Sequence, residues 1–278
     1  MNPLEFTGPA FLMFYAACGA AACGWLRWIN WAREPHVPTG QAPTDPQTIA
    51  YLRGGATETL RITAVALLEQ GVLLLGPKDT LQASPTQRFS PGASAVDCAV
   101  HKHFRYGDAA QTLFKDEDLA ASARSHAESG LQNAGLLPDE PIREARYSRF
   151  LAVVVPLGLL AAVKTAVALE RGHTNLVFLA IETVVLGLIA YSITRRFRTP
   201  AGDRALNYLM HSFDAVRRRA QSAAHPSAAD IALVAAVFGL AALPGVTYAN
   251  VAALQPRQDA SGCGGGCGGG CGGCGGCG

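Results

Sequence analysis

Along the chain, long uncharged apolar runs alternate with stretches of mixed polarity, and the two patterns predict different surroundings. Four runs are membrane-length: residues 6–26, 150–169, 174–194 and 231–249. The outer two carry no charge; Lys164 interrupts the second and Glu182 the third. At about 1.5 Å of rise per residue, roughly 20 residues cross the hydrocarbon core. The pattern therefore predicts spans over 6–29, 150–169, 174–194 and 229–250, with an Arg-rich cytoplasmic loop at 195–227.

The stretch between the first two spans changes period. Pro35, Pro38, Pro43 and Pro46 mark a linker over 30–46, and residues 47–145 read as a small cytoplasmic α+β domain. Residues 48–53 predict a short helix ended by Gly54-Gly55. Residues 56–70 predict a second, because Leu60, Ala64, Leu67 and Leu68 share one helical face and Gly71 supplies a stop. An apolar run at 72–75, the turn Gly76-Pro77-Lys78-Asp79 and a return strand at 80–83 complete a helix, helix, hairpin outline like that of a winged helix. Residues 93–104 and 119–134 predict further helices, the latter with Leu119, Ala123, Ala127 and Leu131 in register. The expected fold class is mainly α: about four membrane helices, a winged-helix-like cytoplasmic domain and a disordered Gly/Cys tail.

Composition agrees with a chain that is part membrane and part water. Of 278 residues, 49% are hydrophobic and 16% charged, with a mean hydropathy of +0.18. Charge sets the orientation. Arg27 and Arg33 follow the first run; Arg143, Arg146 and Arg149 precede the second; Arg195, Arg196 and Arg198 follow the third; Arg217, Arg218 and Arg219 precede the fourth. The positive-inside rule then predicts both termini outside and the domain inside. Trp25, Trp28 and Trp31 recur on one face of the first helix at its inner boundary, where indoles collect. That run lacks a basic n-region, so it reads as a retained span rather than a cleaved leader. Cys18 and Cys23 then read as small membrane-buried side chains.

Over 45–149, eleven Lys/Arg face thirteen Asp/Glu. This acidic balance removes the phosphate-directed term on which nucleic-acid binding depends, and a docking or structural module is expected instead.

Tyr51-Leu52-Arg53-Gly54-Gly55 ahead of an alanine–leucine helix, then Gln70-Gly71-Val72-Leu73-Leu74, two central spans, a further apolar run and a Gly/Cys terminus form a set. Together they resemble an uncharacterised family of bacterial multi-pass membrane proteins. The resemblance implies that the whole arrangement is the unit to explain, and it brings no activity with it.

Three groups carry candidate chemistry. Lys164 and Glu182 fall at similar depth in an antiparallel hairpin, which predicts an ion pair locking the second and third spans; a proton or ion pathway is the functional alternative. Cys98, His101 and His103 have the residue types of metal ligands, yet on a helix His101 and His103 point about 200° apart, so they read as ordinary surface and core side chains. The tail, 251–278, ends in Cys263, Cys267, Cys271, Cys274 and Cys277 separated only by glycine. A segment without apolar side chains cannot offset its ordering entropy, so its role must lie in sulfur. Binding of Zn or another soft metal, disulfides to an envelope thiol protein or a second copy, and cyclisation of the cysteines as in modified peptides all fit. No phosphate loop, catalytic carboxylate pair or nucleophile elbow is found. The expected function is a non-enzymatic membrane protein presenting a thiol-rich tail at the outer face for binding or tethering, with a modified-peptide precursor or a metal- or redox-handling component as the alternative.

Overall fold

A computed structural model describes residues 8–87, 92–170, 177–223, 227–243 and 254. Three helices are long and apolar enough to cross a membrane: within α1 (Gly8–Arg33), α5 (Glu140–Glu170) and α6 (Val177–Thr194), the qualifying stretches are 24, 29 and 18 residues. They pack together, each against the other two. Phe11, Tyr15, Ala161 and Leu179 fill one level of the seam, and Cys23, Leu26, Val153 and Ala190 the next. At Gly19 an added Cβ would lie 2.3 Å from Leu186, so α1 and α6 approach as closely as small residues allow. The Tyr15 hydroxyl donates to the Leu157 carbonyl at 3.2 Å and accepts from Thr183, satisfying its polar end. Outward, Leu159, Val184 and Leu188 are each about 60% exposed, an apolar surface suited to lipid.

The domain is built around α2 (Pro46–Glu69). Asp45 caps it, and the helix kinks at Gly54 and Gly55; Gly55, with φ 74° and ψ −161°, occupies a region open essentially to glycine alone. The two predicted helices and the break between them are thus present. β1 (Leu73–Leu75) and β2 (Thr80–Ala83) pair antiparallel with Leu73 opposite Ala83, and β3 (Asp108–Ala109) adds to β2. α3 (Ala95–His103) starts at a Ser94–Asp97 capping box, and α4 (Glu117–Asn133) buries Leu119, Ala123, Ala127 and Leu131, the predicted stripe.

The fourth expected span is corrected. Of 229–250, the described part forms α9 (Ala228–Phe238), 11 residues long, followed by a 3-10 turn at Leu240–Ala242. It is too short to cross a bilayer. Ile231, Val234, Ala235, Ala236 and Val237 are instead buried against α2, in the same core as Leu60, Leu67, Leu73, Phe104 and Leu113. The expected loop at 195–227 is likewise helical in large part. α7 (Pro200–Ser212) and α8 (Asp214–Ser222) contribute Leu209 and Ala220 to that core. The domain boundary at 145 moves accordingly: the module is assembled from chain on both sides of the α5–α6 hairpin.

Candidate functional site: the seam between domain and membrane helices

All three membrane helices end at the domain, and one arginine ties them. Arg146, in the polar first turns of α5, donates two hydrogen bonds of 2.7 Å to the Glu34 carboxylate just past α1. The same guanidinium donates to the carbonyls of Arg196 and Arg198 in the chain leaving α6. Both side chains are about 5% exposed or less, so the fork geometry and extra carbonyls are what make burial of the charges tolerable. Next to it, Arg149 donates to Asn30 Oδ1 at 2.9 Å.

The glycine kink supplies the other half of the joint. The break in α2 frees the carbonyls of Leu52 and Arg53, and Arg198 donates to both while also pairing with Asp203. Arg53 turns to Glu58, which also holds Arg61; burial lowers the Arg53 pKa, against the attraction of Glu58. The motif Tyr51-Leu52-Arg53-Gly54-Gly55 is therefore the hinge by which the domain grips the α6–α7 connection.

Tyr51 faces a cavity of about 470 Å³ at this seam, walled by the first turns of α5, the last turn of α6 and the segment after it. Tyr147, Phe150, Tyr191 and Phe197 supply aromatic surface, and Arg143, Arg146, Arg195 and Arg196 supply cations. Glu128 stands among them, 3.6 Å from Arg143 and accepting from the Tyr51 hydroxyl at 3.4 Å.

The predicted site residues are placed as follows. Of the expected pair, Lys164 carries its ammonium over the Phe11 ring, 4.6 Å from its centre, and Glu182 stands on the neighbouring α6. The hairpin reading omitted α1, whose aromatic face offers the cation a partner. His103 bonds Thr112 at 3.0 Å and Asp116 at 2.9 Å, joining α3 to the start of α4, while Cys98 is exposed. No group of three or more metal-ligand side chains occurs among the described residues. Cys263, Cys267, Cys271, Cys274 and Cys277 lie outside the described residues. The chain leading to them is fixed at Leu254, whose side chain is fully buried in the domain core and whose carbonyl accepts from Arg61 Nε at 3.0 Å.

Arg217 and Arg218 also change meaning. They pair with Asp214, and Arg217 covers the Phe238 ring at 4.8 Å, so they belong to the packing of α8 on α9 rather than to a span boundary. Sequence reasoning missed the Arg146–Glu34 link altogether. The signal available was a lone Glu after an Arg-flanked span, which is weak. No protein-family model, curated protein or solved structure matches this chain.

Proposed function

We propose that this protein is a non-enzymatic, membrane-anchored module that holds its five-cysteine tail beside its own domain, for binding a soft metal or tethering a thiol-bearing partner. The anchoring of Leu254 in the domain core carries this reading. The first tail cysteine, Cys263, follows nine residues later (263 − 254 = 9). A coil of the 24 residues from Leu254 to the terminus (278 − 254 = 24) would reach about 25 to 30 Å, so a partner is expected at the domain or the adjacent membrane surface.

Two candidate crossings, α5 and α6, separate α2 to α4 from α7 to α9, and this supports a tail on the domain's side in place of the outer placement expected from four spans. Arg27, Arg33, Arg143, Arg146, Arg149, Arg195, Arg196 and Arg198 all flank span ends on that side, which supports a cytoplasmic domain and tail. Disulfides are disfavoured there, and free thiols on a glycine backbone can bring four sulfurs to one Zn or similar ion. The winged-helix outline is read as a docking or structural surface.

Two measurements test this. An impermeant thiol reagent should label the tail only after cells are opened; labelling of intact cells overturns the placement. In the purified protein, added Zn should protect the tail thiols from alkylation. Thiols that stay reactive, or a tail whose mass shows irreversible loss of water, would replace metal binding with the modified-peptide reading.

A further inference from the structure

We propose that the cavity at the seam is a seat for the headgroup of an anionic phospholipid, whose acyl chains run along the outer face of α5 and α6. The proposal rests on membrane embedding of these helices and is independent of the chemistry of the tail, so the two readings fail separately.

The charge balance of the cavity points to an anion. Arg146 is matched by Glu34, and Arg143 faces Glu128. Arg195 and Arg196 have no carboxylate within ion-pair distance among the described residues, and both are exposed. Arg195 instead lies over the Tyr191 ring, 4.9 Å from its centre, at the lip of the cavity. Two cations without an ion-pair partner among the described residues thus line a concave site whose one lining carboxylate, Glu128, faces Arg143.

The depth of the cavity points to a lipid rather than a soluble anion. Tyr147, Phe150 and Tyr191 form a chain of rings about 6 Å apart, Tyr147 to Phe150 at 6.2 Å and Phe150 to Tyr191 at 6.3 Å. They occupy the turn where α5 changes from charged sequence to the apolar run that begins at Phe150, and where α6 ends. Aromatic side chains collect at that level of a bilayer, which is also the level of lipid phosphates. From there the exposed large side chains along the two helices, Leu151, Val155 and Leu188 among them, are apolar and suit acyl chains. Basic pockets between spans on the inner side are suited to anionic headgroups for this reason. A volume of about 470 Å³ accommodates a phosphoglycerol head.

The full-length protein, reconstituted in discs of equimolar phosphatidylcholine and phosphatidylglycerol and released into native mass spectrometry, should retain one phosphatidylglycerol. Two arginines at the seat correspond to roughly a 30-fold preference. Arg195→Gln with Arg196→Gln should abolish that preference, whereas the double lysine replacement should keep most of it. Arg27→Gln with Arg33→Gln, which removes equal charge beside the same boundary on α1, should leave it intact. The Arg196 carbonyl remains available to Arg146 in every variant, and a wild-type melting curve in pure phosphatidylcholine should show that the glutamine pair is folded. Should that pair melt early, the lysine pair decides. Equal retention of the two lipids by the wild type, equal loss in the α1 control, loss in the folded lysine pair, or displacement of the lipid by inorganic phosphate would each overturn the proposal.

Discussion

At the scale of single residues, the molecule depends most on Arg146. Its guanidinium satisfies a buried carboxylate and two carbonyls that no other described side chain reaches. Arg146→Met should therefore destabilise the protein by about 3 to 5 kcal/mol, because Glu34 is left charged and unpaired. Arg146→Met combined with Glu34→Leu should cost clearly less, as read from melting in detergent or discs. A double variant as damaged as the single would mean that the carbonyl contacts, not the ion pair, dominate. Tyr51 gives a pH signature at the same seam. Burial, with Glu128 beside it, pushes its phenol from the ordinary 10.0 up to about 12. The folded state holds this proton more tightly than the unfolded state does. The resulting stability is complete below about pH 10 and is lost as pH rises through about 12, by roughly 2 kcal/mol. Tyr51→Phe should lack this part of the alkaline loss; alkaline melting curves of the two proteins would superimpose if the phenol did not contribute.

At the scale of elements, the kink in α2 and the shortness of α9 decide the architecture. An added Cβ at Gly55 would meet Phe197 only at ordinary contact distance, 3.5 Å, so the barrier to substitution is conformational rather than steric. Gly55→Ala should cost about 1 to 3 kcal/mol in domain stability and loosen the Arg198 contacts that the kink creates. A loss below 0.5 kcal/mol would show that α2 can straighten without penalty. The same two elements mark how far the sequence could be read. The Gly54-Gly55 break, the hairpin and the α4 stripe were legible because each is a local pattern with a local cause. The fate of residues 231–249 was not, since an uncharged run has the same length and composition whether lipid or protein surrounds it. One local signal did bear on it: Gly239, at φ 92°, stops α9, and Pro244 stands a few residues on. A helix bounded in that way cannot reach across a bilayer. The contact of Lys164 with Phe11 was hidden for a different reason, because depth along two helices says nothing about the third helix that shares their interior.

At the scale of the whole molecule, the domain and the membrane bundle share a chain path that passes from one to the other and back. α2 lacks a covered face until α7 to α9 arrive from beyond the hairpin. A chain ending at Thr194 should insert its three helices yet leave Leu60, Leu67 and their neighbours open to water. It should lose the cooperative unfolding of the domain and become protease-sensitive across α2 to α4. Retention of a protected fragment there would mean that the first half folds alone. Of the residues that line the seam cavity, the truncation removes Arg195, Arg196 and Phe197 and leaves Tyr51 and Glu128 on the uncovered half.

The interrupted module also imposes an order on biogenesis. Between the last residue of α2 and the first of α9 the ribosome must add 159 residues (228 − 69 = 159), which at about 5 to 20 residues per second takes roughly ten to thirty seconds. During that interval α5 and α6 enter the bilayer while a greasy half-module waits in the aqueous phase. Completion of the module is thus paced by synthesis of the intervening chain, and a nascent chain stalled in that window would be a natural client for chaperones.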